Sequence, residues 1–185
     1  MDEVSVRAVT AVEVAARMDA IGMLYQQGFA VPPNVAESPA EHRASLLRLL
    51  ADPGFGCALA DVDGELVGFV YGYGLHSDLW WQGLRDPVPE GFTTEWTGRT
   101  FAIIDIAVAA PWRRRGVGAQ LMDVLLAGRA EQRATLGMIP GLPAAAFYAA
   151  TGWRLVSRQD SPPDAGWTSP VFDVYVRELT GAGSR

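Results

Sequence analysis

The chain has 185 residues, of which 49% are hydrophobic, and its fifteen basic and twenty-one acidic side chains leave a net charge of −6. That length suits one domain with a sizeable core, and the acidic balance argues against a nucleic-acid partner. Every basic residue is Arg, which excludes a phosphate loop of the Walker type with its obligatory Lys.

Cys57 is alone, so no intrachain disulfide can form, and with only His42 and His76 beside it no metal cluster is expected. The N-terminal "MDEVSVRAV" lacks the apolar run of a signal peptide, and no apolar stretch reaches the ~18 residues of a membrane span. These features predict a cytoplasmic protein without a membrane partner.

In chain order, Val4 to Val9 alternates as a first strand. Residues 11–27 carry a helical stripe of Val14, Met18, Ile21 and Tyr25, and "GFAVPPNVAES" reads as a loop. Ser38 opens a second helix with Pro39 at its first position, Glu41 completing a capping box, and a Pro-Gly stop beyond. "FGCALADVDGELVGFVYGYGL" predicts a β-hairpin turning at Asp63-Gly64, with Val67, Phe69, Tyr71 and Tyr73 on one side of its second arm.

Residues 76–98 form a long connection containing Trp80, Trp81, Phe92 and Trp96, aromatics that need covering. The strand "RTFAIIDIAVA" follows, then an Arg-Gly turn and a helix from about 117 to 131. "RATLGMI" predicts a strand, "PAAAFYAA" a short helix, "GWRLVSRQ" a strand, and "PVFDVYVREL" a last strand before a fraying tail. No repeat or domain linker is visible, and the order β-α-β-α-β-loop-β implies a mixed α/β (α+β) sheet with helices packed against it.

The stretch "APWRRRGVGAQLM" is unusual as a helix start. Three arginines crowd a first turn where the macrodipole favours acids, and no Ser, Thr, Asp or Asn between Pro111 and Gly118 can cap the free N–H groups. An anion is the natural partner for such donors. Gly116 and Gly118 leave room for a diphosphate at the backbone, and Arg113, Arg114 and Arg115 can add charge-assisted contacts. A dinucleotide G-x-G-x-x-G fails because Leu121 occupies the third glycine position. An exposed Arg-rich turn capped by water is the bland alternative.

The segment "IAVAAPWRRRGVGAQLM", followed further on by "AAAFYAATGW", resembles the GNAT superfamily of acetyl-CoA-dependent N-acetyltransferases. The first stretch matches that family's Arg/Gln-x-x-Gly-x-Gly/Ala. The second matches its Tyr-x-x-x-Gly-aromatic, here Tyr148 to Gly152-Trp153. The resemblance is close over residues 99–158 and weaker elsewhere. It implies a single GNAT domain over 1–180 with a frayed tail at 181–185, built on a mostly antiparallel sheet of about six or seven strands flanked by helices. It also implies acetyl-CoA as co-substrate. The backbone of Ile106, Ala107 and Val108 would pair with the pantetheine arm, and the amides of Arg114, Arg115, Gly116, Val117, Gly118 and Ala119 would hold the pyrophosphate. Arg113 fills the first motif position. One departure is Gly141, where the family often has an Asn that contacts the cofactor.

Acetyl transfer to an amine needs a neutral amine, a stabilised oxyanion and a protonated leaving thiolate. An amine of pKa ~10.4 costs about 4–5 kcal/mol to deprotonate at pH 7, so a base helps without being strong. Tyr148 matches the family's Tyr and is the candidate general acid; a core aromatic on a short helix is its alternative reading. Asp105 interrupts the apolar strand "IIDIAV" and is the candidate base, because burial there would raise its pKa. A strand carboxylate paired with an Arg or a hydroxyl is the competing reading. Glu95, Asp78 and His76 are alternative bases.

Tyr25, Phe29, Trp80, Trp81, Phe92 and Trp96 can line an apolar or cation–π pocket for a small amine, bordered by "QDSPPDAGWTS". Core burial or a homodimer contact is the simpler reading of each aromatic taken singly. The expected function is direct acetyl transfer to the primary amine of a small-molecule acceptor. The alternatives are an acyl-CoA sensor without turnover and a protein-interaction module of the same fold.

Overall fold

Residues 3–30, 36–161 and 169–179 of a computed structural model are described. The strands are β1 (Ser5–Val9), β2 (Gly56–Val62), β3 (Glu65–Gly74), β4 (Thr100–Val108), β5 (Arg133–Met138), β6 (Arg154–Asp160) and β7 (Val171–Glu178). The helices are α1 (Ala11–Ala16), α2 (Met18–Phe29), α3 (Pro39–Leu50), α4 (Val117–Leu126) and α5 (Ala144–Ala150). The strands make one mixed, mostly antiparallel sheet in the order β1-β2-β3-β4-β5-β7-β6. Contacts divide the chain into two compact units, Met1–Tyr73 with Ile104–Ala127, and Gly74–Ile103 with Gly128–Arg185.

In the first unit β1, β2 and β3 pair antiparallel. The hairpin turns at Asp63 (φ 49°) and Gly64 (φ 83°), the left-handed pair that matches strand twist in a two-residue loop. Ser38 caps α3 as expected: its hydroxyl accepts from the Glu41 N–H, and the Glu41 carboxylate accepts from the Ser38 N–H. The single helix expected over 11–27 is instead α1 and α2, broken at Arg17 (φ −112°, ψ 14°). Arg17 pairs with Asp61 of β2 at 2.6 Å. The apolar stripe survives the break, and Val14, Met18, Ile21 and Tyr25 are all buried. They join Leu46 of α3, Phe69 and Tyr71 of β3 and Ala107 of β4 in one core.

Gly68 of β3 keeps the sheet bare where α4 crosses it. A Cβ there would meet Leu121 Cδ1 at 3.0 Å and the Ala107 carbonyl oxygen at 3.3 Å. The helix α4 stops at Leu126, short of the expected 131. Ala127 is extended (ψ 127°) and Gly128 is left-handed (φ 70°), so a glycine stop overrides the apolar period.

In the second unit β4 pairs parallel with β5 over four positions, Thr100–Arg133 to Ile103–Leu136, whereas β4 itself runs on to Val108. β7 pairs antiparallel with both β5 and β6. The long connection contains a short 3-10 turn, Asp78–Trp81, and is pinned by its own polar groups. Arg99 donates to the carbonyls of Gly91 and Thr94, and Asp78 accepts from the Glu95 N–H. The tail 181–185 and most of "QDSPPDAGWTS" lie outside the described residues.

Candidate active site

The turn between β4 and α4 has the features its sequence suggested. A 3-10 turn spans Ala110–Trp112, and α4 begins at Val117 with no side-chain cap. Gly116 is the N-cap in a left-handed conformation (φ 82°), followed by right-handed Val117. Such a left–right pair makes the N–H groups of 116, 117 and 118 converge on one point, an anion-binding arrangement.

The three arginines behave differently. Arg113 donates from Nε to the Val108 carbonyl at 2.8 Å, tying the turn to the end of β4. The Arg115 guanidinium lies over the Trp112 ring at 5.1 Å. Arg114 is exposed and itself has φ 61°, a conformation that costs a non-glycine residue roughly 1–2 kcal/mol.

Strand alternation divides the backbone groups of β4. The Ala109 N–H donates to Val67 of β3 at 2.8 Å, and the Ala107 carbonyl also lies on the Gly68 side. Ile106 and Val108 therefore turn their N–H and carbonyl groups to the opposite edge. Of the three residues expected to meet an added strand, these two turn to that edge, where the Val108 carbonyl already accepts from Arg113, and Ala107 faces β3.

Asp105 lies on the same stretch of β4. Tyr71 of β3 donates its hydroxyl hydrogen to Asp105 Oδ2, and His42 of α3 sits with Nε2 3.0 Å from the Tyr71 oxygen. The His42 ring stacks on Tyr25 at 3.8 Å, and the Tyr25 oxygen accepts from the Glu37 N–H at 3.2 Å. Burial raises the Asp105 carboxyl to about 6, with a further push from the Glu37 charge, while the Tyr71 hydrogen bond acts in the opposite direction. Burial also lowers His42 to about 4 and holds Tyr71 well above the usual phenol range. At neutral pH this is an ionised carboxylate held by a neutral phenol, itself backed by a neutral imidazole. Oδ1 of Asp105 takes no hydrogen bond among the described residues.

Tyr148 occupies the third position from the end of α5, and its signature turns out to be a helix cap. The Trp153 N–H donates to the Tyr148 carbonyl at 3.0 Å, the Gly152 N–H donates to Ala149 at 3.4 Å, and Gly152 is left-handed (φ 84°). These are the two bonds of a Schellman motif. Its accompanying apolar contact is the edge-on packing of Tyr148 and Trp153, with ring centroids 6.1 Å apart. Tyr-x-x-x-Gly-aromatic thus fixes the Tyr148 backbone and one face of its ring, and Tyr175 of β7 covers it further at 5.7 Å.

The Glu95 side chain is fully buried. Its Oε1 accepts from Arg133 Nη2, Trp81 Nε1 and Thr100 Oγ1, each at 2.8 Å. The Arg133 guanidinium lies against both Trp81 (4.7 Å) and Phe92 (4.4 Å), whose rings meet edge-on 5.2 Å apart. Glu95 therefore holds the connection to β4 and β5. Trp80 donates to Thr135 Oγ1, and Trp96 packs under Arg99 at 4.4 Å. The suggested pocket aromatics fall into two groups: Tyr25 and Phe29 stack together at 4.7 Å in the first unit, and Trp80, Trp81, Phe92 and Trp96 belong to the second.

A family model described as "Acetyltransferase (GNAT) family" matches residues 10–153. No curated protein matches the chain by sequence. Among solved structures, the ribosomal-protein-S18-alanine N-acetyltransferase from Escherichia coli is similar at 12% identity and TM-score 0.64, over 99% of this chain and 98% of that one. A phosphinothricin acetyltransferase from Sinorhizobium meliloti in complex with AcCoA has 15% identity and TM-score 0.61, over 98% and 92%. A GNAT-like decarboxylase in complex with isobutyryl-CoA has 14% identity and TM-score 0.66, over 95% and 99%. At these identities the solved structures establish the shared fold.

Proposed function

Because the chain belongs to the acetyltransferase (GNAT) family and is therefore an acyltransferase, we propose that it moves the acetyl group of acetyl-CoA directly to the primary amine of a small-molecule acceptor. The observation that carries this reading is the start of α4. A helix of ten residues opens with no side-chain cap and a left-handed Gly116, beside an edge to which the backbone groups of Ile106 and the N–H of Val108 turn, the Val108 carbonyl being held by Arg113. These features suit a pyrophosphate at the amides of 114–119 and an amide-bearing arm along β4. The family match runs through both units, which supports reading 1–180 as a single domain.

Acetyl-CoA supplies an activated thioester. The amine nitrogen forms a bond to the thioester carbonyl carbon, the carbon–sulfur bond breaks, and the thiolate takes a proton. In this reading Asp105 accepts the proton the amine loses, directly or through water. A carboxyl near 6 is mostly ionised at pH 7 yet basic enough to share that proton. Tyr148 is the proposed donor to the thiolate, since a phenol of pKa ~10 can protonate a thiolate whose conjugate acid is near ~8.5. The net negative charge favours a cationic acceptor. Glu95 is satisfied at Oε1 by Arg133, Trp81 and Thr100, which supports a structural role for it over a basic one.

The test is thiol release from acetyl-CoA in the presence of a panel of polyamines, amino acids, aminoglycosides and arylalkylamines. Amine-dependent release supports the reading. Acetyl-CoA binding with no release for any amine supports a sensor without turnover, and no binding at all rejects both.

A further inference from the structure

We infer that Tyr71 and His42 are positioning residues for Asp105, holding it by Oδ2 alone and leaving Oδ1 as the oxygen that meets the amine. This rests on the reading of Asp105 as the base and specifies how that base is held. The three residues come from three elements, β4, β3 and α3, and none belongs to the two sequence signatures.

The direction of each hydrogen bond follows from the groups available. Tyr71 has one hydroxyl hydrogen, and Asp105 Oδ2 takes it. The Tyr71 oxygen can then only accept from His42, so His42 must carry its hydrogen on Nε2. His42 is 2% exposed and its ring stacks on Tyr25, so it is held in place and kept neutral. A neutral Nε2–H donating to the phenol strengthens the phenol's own donation to the carboxylate.

Among the described residues, the groups facing Asp105 are few. Tyr71 comes from β3, His42 from α3 behind it, Tyr25 from α2, and Glu37 from the segment before α3. Only Tyr71 donates a hydrogen bond to the carboxylate among the described residues. Burial and the Glu37 charge both favour the protonated carboxyl, which is useless as a base. The Tyr71 bond opposes them, so the pair keeps Asp105 ionised near neutrality while fixing which oxygen is spoken for.

The experiment is a carboxyl ¹³C titration by NMR of the full-length free protein labelled at aspartate Cγ, with Asp105→Asn identifying the signal. The wild type is expected to titrate with a midpoint of about 6. Tyr71→Phe, which keeps the ring, is expected to raise that midpoint by about one pH unit or more, a tenfold gain in proton affinity. A midpoint that stays put or falls overturns the inference.

A second measurement needs no variant: the ¹⁵N shifts of His42 in the wild type. A neutral ring protonated at Nε2 between pH 5 and 8 is expected; a ring protonated at Nδ1 alone overturns the inference. Both readouts are independent of catalysis. If Asp105→Asn leaves the pH profile of amine acetylation unchanged, the base reading fails even where the titration comes out as expected. If that profile loses its acidic limb but Tyr71→Phe does not move the Asp105 midpoint, only the inference fails.

Discussion

Tyr71 donates its hydroxyl hydrogen to Oδ2 of Asp105, so a strand carboxylate in a core-facing position is held by a phenol rather than by a cation. Burial raises the carboxyl from 3.8 to about 6, which makes the ionised form costly in the fold. The folded state therefore keeps this proton to higher pH than the unfolded chain, and the associated stability is full below 3.8 and lost as pH rises through about 6. Asp105→Asn removes that loss. We expect the variant to be more stable than wild type at pH 8 by roughly 1–3 kcal/mol, with the difference vanishing towards pH 4. Urea unfolding at both pH values checks this, and equal or lower stability at pH 8 contradicts it.

His42 titrates in the opposite sense. Burial lowers its pKa from 6.5 to about 4, so its contribution to stability is present above 6.5 and lost as pH falls through about 4. Asp105 gains stability across part of the same window, and the comparison is cleanest in the Asp105→Asn background. There, acidification from pH 7 to 4 is expected to lower stability by up to about 3 kcal/mol through His42, and His42→Phe to remove most of that slope. Parallel pH–stability curves for the two proteins would reject the assignment.

Glu95 and Arg133 form an ion pair at 2.8 Å with side chains 0% and 5% exposed. Breaking it leaves a buried guanidinium against Trp81 and Phe92 without its carboxylate. Glu95→Gln is expected to cost about 3 kcal/mol or more and to lower Tm clearly. A variant that melts like wild type but has lost acetyl transfer would instead make Glu95 part of the chemistry.

Tyr148→Phe keeps the Schellman cap and the packing on Trp153, because neither uses the hydroxyl. If the hydroxyl protonates the thiolate, kcat falls by about 10²-fold or more while acetyl-CoA affinity hardly changes. Steady-state kinetics and calorimetry on the variant separate the two, and an unchanged kcat removes Tyr148 from the mechanism.

Local signals carried much of the fold. The Ser38–Glu41 box, the Asp63-Gly64 turn and the bare start of α4 each lie within a few consecutive residues, and each is found where the chain places it. The expected helices went wrong where a non-local or competing signal acted. Arg17 breaks the first helix and pairs with Asp61, a residue on another element. Gly128 stops α4 although the run before it is apolar and helical. Asp105 stood out because a carboxylate interrupts an apolar strand. Its partners did not, because residues 42, 71 and 105 share no spacing and meet only when α3 packs over the inward face of β3 and β4. Their one visible trace was Tyr71 on the inward side of the second hairpin arm, where a phenol must find a partner for its hydroxyl.

We propose that the uncapped start of α4 holds acetyl-CoA for transfer to an amine. Thiol release from acetyl-CoA, run with the amine panel on wild type and Gly118→Glu in parallel, tests it most directly. Amine-dependent release by wild type is expected, and none by a folded Gly118→Glu, whose carboxylate would repel a pyrophosphate at this turn. Equal release by the two proteins would contradict it.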